Sequence, residues 1–387
     1  MRIAQMLDTF YMGGAQMMQL FLVESLQPLG INIAVICLKE HTNSKFELRL
    51  QKAGAQVIYF PFPKLFSPRS FSNLVRFLRQ EKFDLLHSYL AYSNIIGSLA
   101  GKLTGIPTIA SVRSTDYHGI GYSPQRAFLE TVALKYLSDR VMANGLAVAN
   151  YTCNRLNDSR PVDTIPNAVD LVPPISVAER QKLRKEILVD KNSLFILSVG
   201  RLTVAKGYHD LIDAMWLVHE KFPSAILAIA GDGDLLNELS AHIAQLGLEG
   251  TILLLMERKD VPHLLAAADI YVNSSHWEGT PVSVLEAMAA GLPVVATAVG
   301  ESPYLLAQNV GLLVPDHSPA ELADALLSLL ASQEERQKFG ELARKRIEQS
   351  YTRDAWMRSL LNLYSELTPK AKPYLSSVIQ RSNYQKD

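Results

Sequence analysis

The feature that most constrains this chain is an alternation that runs through it twice. Short β-branched or apolar runs are separated by helix-length amphipathic segments. In the first half the strand-like runs are residues 2–7, 31–38, 56–60, 84–87, 107–112, 140–143 and 162–165. Helix-length segments such as 15–27 and 94–104 lie between them. A βαβα order of this kind predicts a parallel sheet with helices on both faces. The runs are almost continuously apolar, as strands covered on both faces should be.

The rhythm breaks over residues 167–192. Pro166, Pro173 and Pro174 precede the charged segment A-E-R-Q-K-L-R-K-E, which reads as a linker and one polar helix. A second series follows at residues 194–199, 225–230, 251–255, 270–273 and 293–297. The fold class is therefore α/β, with two Rossmann-like domains facing across a cleft. Ligands of such sheets bind at the carboxyl ends of strands, so the cleft is the expected site. From Ser318 onward the pattern is helical, with a separate helix over residues 351–367. The polar stretch from Thr368 is expected to be irregular and loosely ordered.

Composition narrows the function classes. A length of 387 residues is more than one core usually serves. The formal net charge is zero, but residues 1–170 hold 17 Lys+Arg against 12 Asp+Glu, a net of +5, leaving −5 for the rest. The first half is the better candidate to meet an anionic partner, although a solvated surface accounts for the imbalance equally well. No nucleic-acid partner is expected. Cys37 and Cys153 belong to no metal-binding cluster, and no disulfide framework is expected. A reduced, cytoplasmic setting fits. Residues 1–7 are too short a run for a signal peptide, and Asp8 ends it. No uncharged run free of Gly and Pro reaches the length of a membrane span.

Two segments carry chemistry. V-G-R-L-T-V-A-K-G, residues 199–207, follows a strand and opens a helix. Arg201 and Lys206 thus lie at a strand end near a helix amino terminus, where phosphate is favoured. A guanidinium fork and an ammonium also suit a departing diphosphate, on which negative charge grows. Two surface cations in a loop are the plainer alternative. The second segment is E-G-T-P-V-S-V-L-E, residues 278–286. Thr280 is expected to cap a helix, with Pro281 in its first position and Gly291 after its end. Glu278 then lies in the loop and Glu286 within the helix. The backbone N–H groups of Gly279, Thr280 and Val282 can hold phosphate or sugar oxygens. Glu286 can accept two hydrogen bonds from a vicinal diol, and Glu278 can bind hydroxyls of a sugar. A carboxylate in so apolar a helix needs a partner.

With these motifs in place, the sequence resembles the retaining glycosyltransferases of family 4, which have the GT-B architecture. The matching pieces are Gly13-Gly14-Ala15, I-P-N-A-V-D at 165–170, the G-R-L…K-G segment, A-G-D-G at 230–233, and the paired-glutamate segment followed by A-M-A-A-G-L-P-V-V-A-T. The resemblance implies a nucleotide diphosphate sugar as co-substrate, with a UDP-linked donor expected, and no cofactor or metal. It implies that Arg201 and Lys206 hold the diphosphate, Glu286 the ribose and Glu278 the donor sugar, with Gly14 approaching the diphosphate. It also implies that the last helix returns to the first domain. The expected domains are residues 1–170 with 352–387 on the acceptor side, and 171–351 on the donor side. The acceptor is a hydroxyl, with a lipid-linked molecule among the candidates.

Some positions depart from the family pattern. Ala168 stands where Gly is usual, and Arg113 stands where the family often has a His near the reacting centre. Arg113 stays protonated, so it can act as a fixed cation and not as a base. His118, five residues on, is a second candidate, and Asp116 a third. His87 is read as a buried structural residue. Asp232-Gly233-Asp234 matches a D-x-D metal signature, yet its glycines suit a tight turn, with Asp234 expected in the first turn of the next helix. The segment 60–82 interleaves Lys64, Arg69, Arg76, Arg79 and Lys82 with Phe62, Leu65, Phe66 and Phe77. It is either a sheet-covering helix with a basic face or a contact for an anionic bilayer at the inner membrane face. Two other functions remain open: a non-catalytic nucleotide-sugar binding protein and a sugar-nucleotide epimerase. A nicotinamide dehydrogenase is disfavoured, because Tyr-Met-Gly-Gly-Ala replaces G-x-G-x-x-G after the first strand.

Overall fold

The structure, a computed structural model, describes residues 1–10, 14–39, 45–65, 67–115, 123–187 and 193–384. His118, Asp116, Gly13 and Phe66 lie outside the described residues. The chain forms two compact units, residues 1–167 with 353–387, and residues 168–352.

In the first unit the strands are β1 (Arg2–Leu7), β2 (Asn32–Cys37), β3 (Gln56–Tyr59), β4 (Leu85–Tyr89), β5 (Thr108–Val112), β6 (Arg140–Ala143) and β7 (Asp163–Thr164). They pair in parallel in the order β3-β2-β1-β4-β5-β6-β7. The helices between them are α1 (Gly14–Leu26), α2 (Lys45–Lys52), α3 (Pro68–Glu81), α4 (Ala91–Thr104), α5 (Pro124–Val132) and α6 (Leu146–Arg155). Strand order reverses between β1 and β4, so the chain leaves the sheet in opposite directions from two adjacent strand ends. That divergence opens a crevice above the sheet. Asp8, just past β1, spans it. Its carboxylate accepts from the backbone N–H of Ser93 at 2.7 Å and of Tyr92 at 3.2 Å, satisfying the first turn of α4. Burial pushes this carboxyl up to about 6.

The second unit repeats the plan. Its strands β8 (Phe195–Val199), β9 (Ile226–Ala230), β10 (Ile252–Leu254), β11 (Ile270–Asn273), β12 (Val294–Thr297) and β13 (Leu312–Val314) pair in the order β10-β9-β8-β11-β12-β13. Its helices are α7 (Val177–Glu186), α8 (Tyr208–Lys221), α9 (Leu236–Gln245), α10 (Val261–Ala267), α11 (Val282–Ala289), α12 (Ser302–Leu305), α13 (Pro319–Ala331) and α14 (Gln333–Ser350). The reversal here falls between β8 and β11. One apolar cluster lies on each side of the sheet, with Leu197, Tyr271 and Val294 on one and Ile196, Val272 and Val295 on the other. The alternation of neighbouring residues is the pleat of doubly covered strands.

Three expectations need correction. The last strand of the second sheet, Leu312–Val314, is an edge strand absent from the series expected from the sequence. Only three residues long, it lacks a run that period alone distinguishes from a loop. The stretch after Thr368 is not irregular: a 3-10 turn at Pro369–Ala371 leads into α16 (Lys372–Tyr384), following α15 (Arg353–Leu367). Ala371 and Val378 are buried there, so a few apolar anchors hold a helix whose composition is polar. Residues 353–387 belong to the first unit, where Glu366 pairs with Arg140 and Lys370 with Asp84. Asp234 falls in the turn before α9 rather than within it.

The polar helix α7 carries a capping box between Ser176 and Glu179. Its buried Arg184 donates to the carbonyls of Ala267 and Ser193, both at 3.0 Å, and pairs with Asp269. Asp269 also accepts from Arg180 and from the backbone N–H of Phe195 at the start of β8. Asp269→Ala strips three donors and leaves Arg184 buried without its counter-charge. We expect a loss of about 3 kcal/mol in urea unfolding.

Candidate active site

The donor-side residues gather at the reversal of the second sheet. Arg201 and Lys206 lie in the connection from β8 to α8, and Glu278, Gly279 and Thr280 in the connection from β11 to α11. Because β8 and β11 are paired, these connections leave adjacent strand ends. The Lys206 ammonium pairs with the Glu278 carboxylate, both largely buried. Ser275 Oγ donates to the same carboxylate oxygen at 2.9 Å. The Arg201 side chain is exposed.

Glycine makes the close approaches feasible. Gly207 adopts φ +58, and a Cβ there would lie 2.1 Å from the Ser274 carbonyl oxygen. Gly300, also left-handed, lies beneath the Glu278 segment, where a Cβ would meet the Glu278 and Gly279 carbonyl oxygens at 2.5 and 2.6 Å. Glu301 N–H donates to Gly279 O at 2.9 Å, and Thr297 Oγ1 donates to Ser275 O at 2.5 Å. The loop carrying Glu278 is thus backed by residues 297–301, and neither these nor Ser275 were singled out from the sequence. A glycine three residues after the strand 294–297 was the available signal.

The helix α11 starts one residue later than expected. Pro281 occupies the N-cap, no side chain caps the helix, and Val282 is its first residue. Thr280 is therefore not the cap; it is buried in the preceding turn. The N–H of Val282 has no intrahelical acceptor, which leaves it for a ligand oxygen. Glu286 lies on α11 between Leu285 and Ala287, both fully buried. Burial pushes its carboxyl up to about 7.

On the first unit, Gly14 is the first residue of α1, directly beyond β1. Arg113 follows β5 and is nine-tenths buried. Its Nη1 donates to Asn167 Oδ1 at 3.0 Å, and its guanidinium lies 4.6 Å from the centre of the Tyr89 ring. Nε and Nη2 have no acceptor, and no carboxylate pairs with Arg113 among the described residues. His87 is fully buried between Tyr364 Oη at 2.8 Å and Ser111 Oγ at 2.7 Å. Burial and the Arg113 charge hold it well below the usual histidine range, so it is a neutral structural residue. Asp232 and Asp234 are exposed, and Asp232 accepts from the N–H of Gly233 as a turn residue does.

The segment 60–82 turns its apolar residues inward. Leu74 and Leu78 are buried, and Phe77 contacts both Phe60 and Phe83. Arg69, Arg76, Arg79 and Lys82 remain exposed. No helix among the described residues is long and apolar enough to cross a membrane.

Two family models match the chain: Glycosyltransferase Family 4 over residues 12–172 and Glycosyl transferases group 1 over residues 179–346. The chain belongs to the family 4 glycosyltransferases, with the GT-B architecture. It is 28% identical over 241 residues to the UDP-Gal:alpha-D-GlcNAc-diphosphoundecaprenol alpha-1,3-galactosyltransferase of Escherichia coli, covering 59% of this chain and 61% of that one. It is 29% identical over 289 residues to the D-inositol 3-phosphate glycosyltransferase of Corynebacterium glutamicum, covering 69% of each. The crystal structure of Anabaena HepE in complex with UDP and glucose superposes with a TM-score of 0.84 at 21% identity, over 95% of this chain and all of that one.

The Glu286 shift has a checkable sign. Its folded value lies above the ordinary 4.5, so the folded state favours the protonated form. The cost of ionising it is absent at pH 4 and complete above about pH 7. Glu286→Gln should therefore stabilise the ligand-free protein at pH 8 by roughly 2 kcal/mol and leave it unchanged at pH 4. Chemical unfolding at the two pH values measures this.

Proposed function

We propose that the chain transfers a sugar from a UDP-linked donor to a hydroxyl acceptor with retention of anomeric configuration. The carrying observation is the convergence of Arg201, Lys206, Glu278 and the α11 amino terminus on the two adjacent strand ends β8 and β11. Cations and free N–H groups there suit a diphosphate, and carboxylates beside them suit hydroxyls.

In this reading Arg201, Lys206 and the N–H groups of Gly279, Thr280 and Val282 take the diphosphate. Glu286 accepts from the ribose diol, and Glu278 from the donor sugar. Gly14, at the start of α1, lets the first unit's backbone approach the diphosphate closely. As the bond from the anomeric carbon to the diphosphate oxygen breaks, the acceptor oxygen bonds to that carbon on the same face. The acceptor proton passes to the leaving diphosphate. Arg201 and Lys206 supply the positive charge, so the reaction needs no divalent metal. Arg113, buried with no carboxylate partner among the described residues, serves as a fixed cation toward the substrates' negative charge. His118 is retained only as the alternative to Arg113. The relative acting on a diphosphoundecaprenol-linked sugar supports a lipid-linked acceptor in glycoconjugate synthesis. The exposed basic face of α3 then provides a contact with anionic lipid at the cytoplasmic face of the membrane.

UDP at 100-fold its dissociation constant should stabilise the protein by about 2.7 kcal/mol. Glu278→Ala and Arg201→Ala should each lower kcat/KM for sugar transfer or donor hydrolysis by about 10- to 100-fold, while added Mg2+ or Mn2+ should not raise turnover. Donor binding with no turnover in the unaltered protein would make it a binding protein, and interconversion of sugar nucleotides an epimerase. Cosedimentation should be stronger with vesicles containing phosphatidylserine than with neutral ones and should weaken with salt. Indifference to lipid charge would remove the membrane contact.

A further inference from the structure

A second group of side chains lies beside the Glu278 loop and takes no part in the reaction above. Asp210 is in the first turn of α8, His276 is in the loop two residues before Glu278, and His317 is in the turn between β13 and α13. One ligand-type atom from each lies within 4.8 Å of the other two. Asp210 Oδ2 is 3.8 Å from His276 Nδ1 and 3.7 Å from His317 Nδ1, too far for hydrogen bonds. Asp210 Oδ2 and His276 Nδ1 are buried and have no hydrogen-bond partner among the described residues. The His276 side chain is nine-tenths buried.

Burying two such atoms around a gap is costly unless something fills it. The adjacent histidines make the contrast. His209 Nε2 sits 3.0 Å from Glu238 and His242 Nε2 sits 2.7 Å from Asp213, so each is already matched with a carboxylate. The Asp210 triangle has the opposite property, with separations that suit a shared ion rather than direct bonding. Bonds of about 2.1 Å to a tetrahedral dication place ligand atoms about 3.4 Å apart, so the two separations from Asp210 need to close by only a few tenths of an ångström. The rings of His276 and His317 are stacked, with centroids 3.8 Å apart and planes 16° from parallel. The His317 ring must turn to aim its lone pair at the common point. It is two-thirds exposed and can do so. Asp316 Oδ2, 4.0 Å from His317 Nε2, is placed to orient that ring from behind.

We propose that Asp210, His276 and His317 form a binding site for a first-row transition dication of the zinc type. Imidazole nitrogen with carboxylate oxygen is the donor set such ions prefer over magnesium or calcium. The ion ties together the first turn of α8, the β13–α13 turn and the loop that carries Glu278. His276 N–H donates to Ala205 O at 2.9 Å, so that loop is already anchored to the segment preceding Lys206. The ion's role is to hold the loop and not to touch substrate.

The test needs neither donor nor acceptor, so its outcome is independent of the proposed transfer. The full chain, stripped with EDTA and dialysed, is titrated with Co2+ and then Zn2+. The expected result is one ion per chain, a visible Co2+ absorption band that Zn2+ abolishes, and a higher melting temperature with Zn2+. His317→Gln, an exposed change that leaves the fold intact, should weaken Zn2+ binding by at least ~10-fold, as should Asp210→Asn. His242→Gln should leave it unchanged. Absence of saturable binding, or affinity unaffected by His317→Gln, would overturn the proposal. Loss of binding in His242→Gln alone would do the same by assigning the ion to the neighbouring pair.

Discussion

The parallel pairing of β8 with β11 is the constraint on which the candidate site depends. These strands are far apart in sequence, and each is followed by a connection to a helix on an opposite face of the sheet. Their adjacent carboxyl ends therefore leave a crevice that no side chain of the sheet itself can fill. Lys206 enters from one connection and Glu278 from the other, and they meet there as an ion pair. The first unit repeats this geometry at β1 and β4, where Asp8 crosses the gap to satisfy α4.

The charges at these strand ends are unevenly matched, and the imbalance points to function. Lys206 and Glu278 neutralise each other, with Ser275 fixing the shared oxygen. Glu286 is instead driven toward its neutral form by burial alone. Arg113, held by Asn167 and the face of Tyr89, keeps two nitrogens without acceptors among the described residues. A fold under selection for stability alone gains nothing from either, since each costs free energy that an apolar residue would not. Each is a cost carried within its own unit by a residue that packing alone does not require.

Much of this architecture was legible in the residues. The runs at 2–7, 140–143 and 270–273 match strands to the residue, because doubly covered parallel strands are almost uniformly apolar. The paired glutamates and the G-R-L…K-G segment were legible as motifs, and both fall at the adjacent ends of β8 and β11. The edge strand Leu312–Val314 was missed because an edge pairs on one side and needs no long run. The helix Lys372–Tyr384 was missed because only isolated residues such as Val378 anchor it. Ser275, Gly300 and Glu301, which back the donor loop, carry no periodic signal, since their role arises from contacts between separate connections.

By itself the sequence determined the order and kind of most elements, the presence of two α/β units and the residue types that meet at the ends of β8 and β11. Those properties depend on periodicity and on motifs confined to short stretches of chain. Tertiary structure alone decided that Lys206 faces Glu278, that Glu286 is desolvated, that Arg113 lies buried over Tyr89, and that Asp210, His276 and His317 come together. Those properties depend on distance and dielectric environment, and both are set by which strand ends become neighbours when the sheet closes.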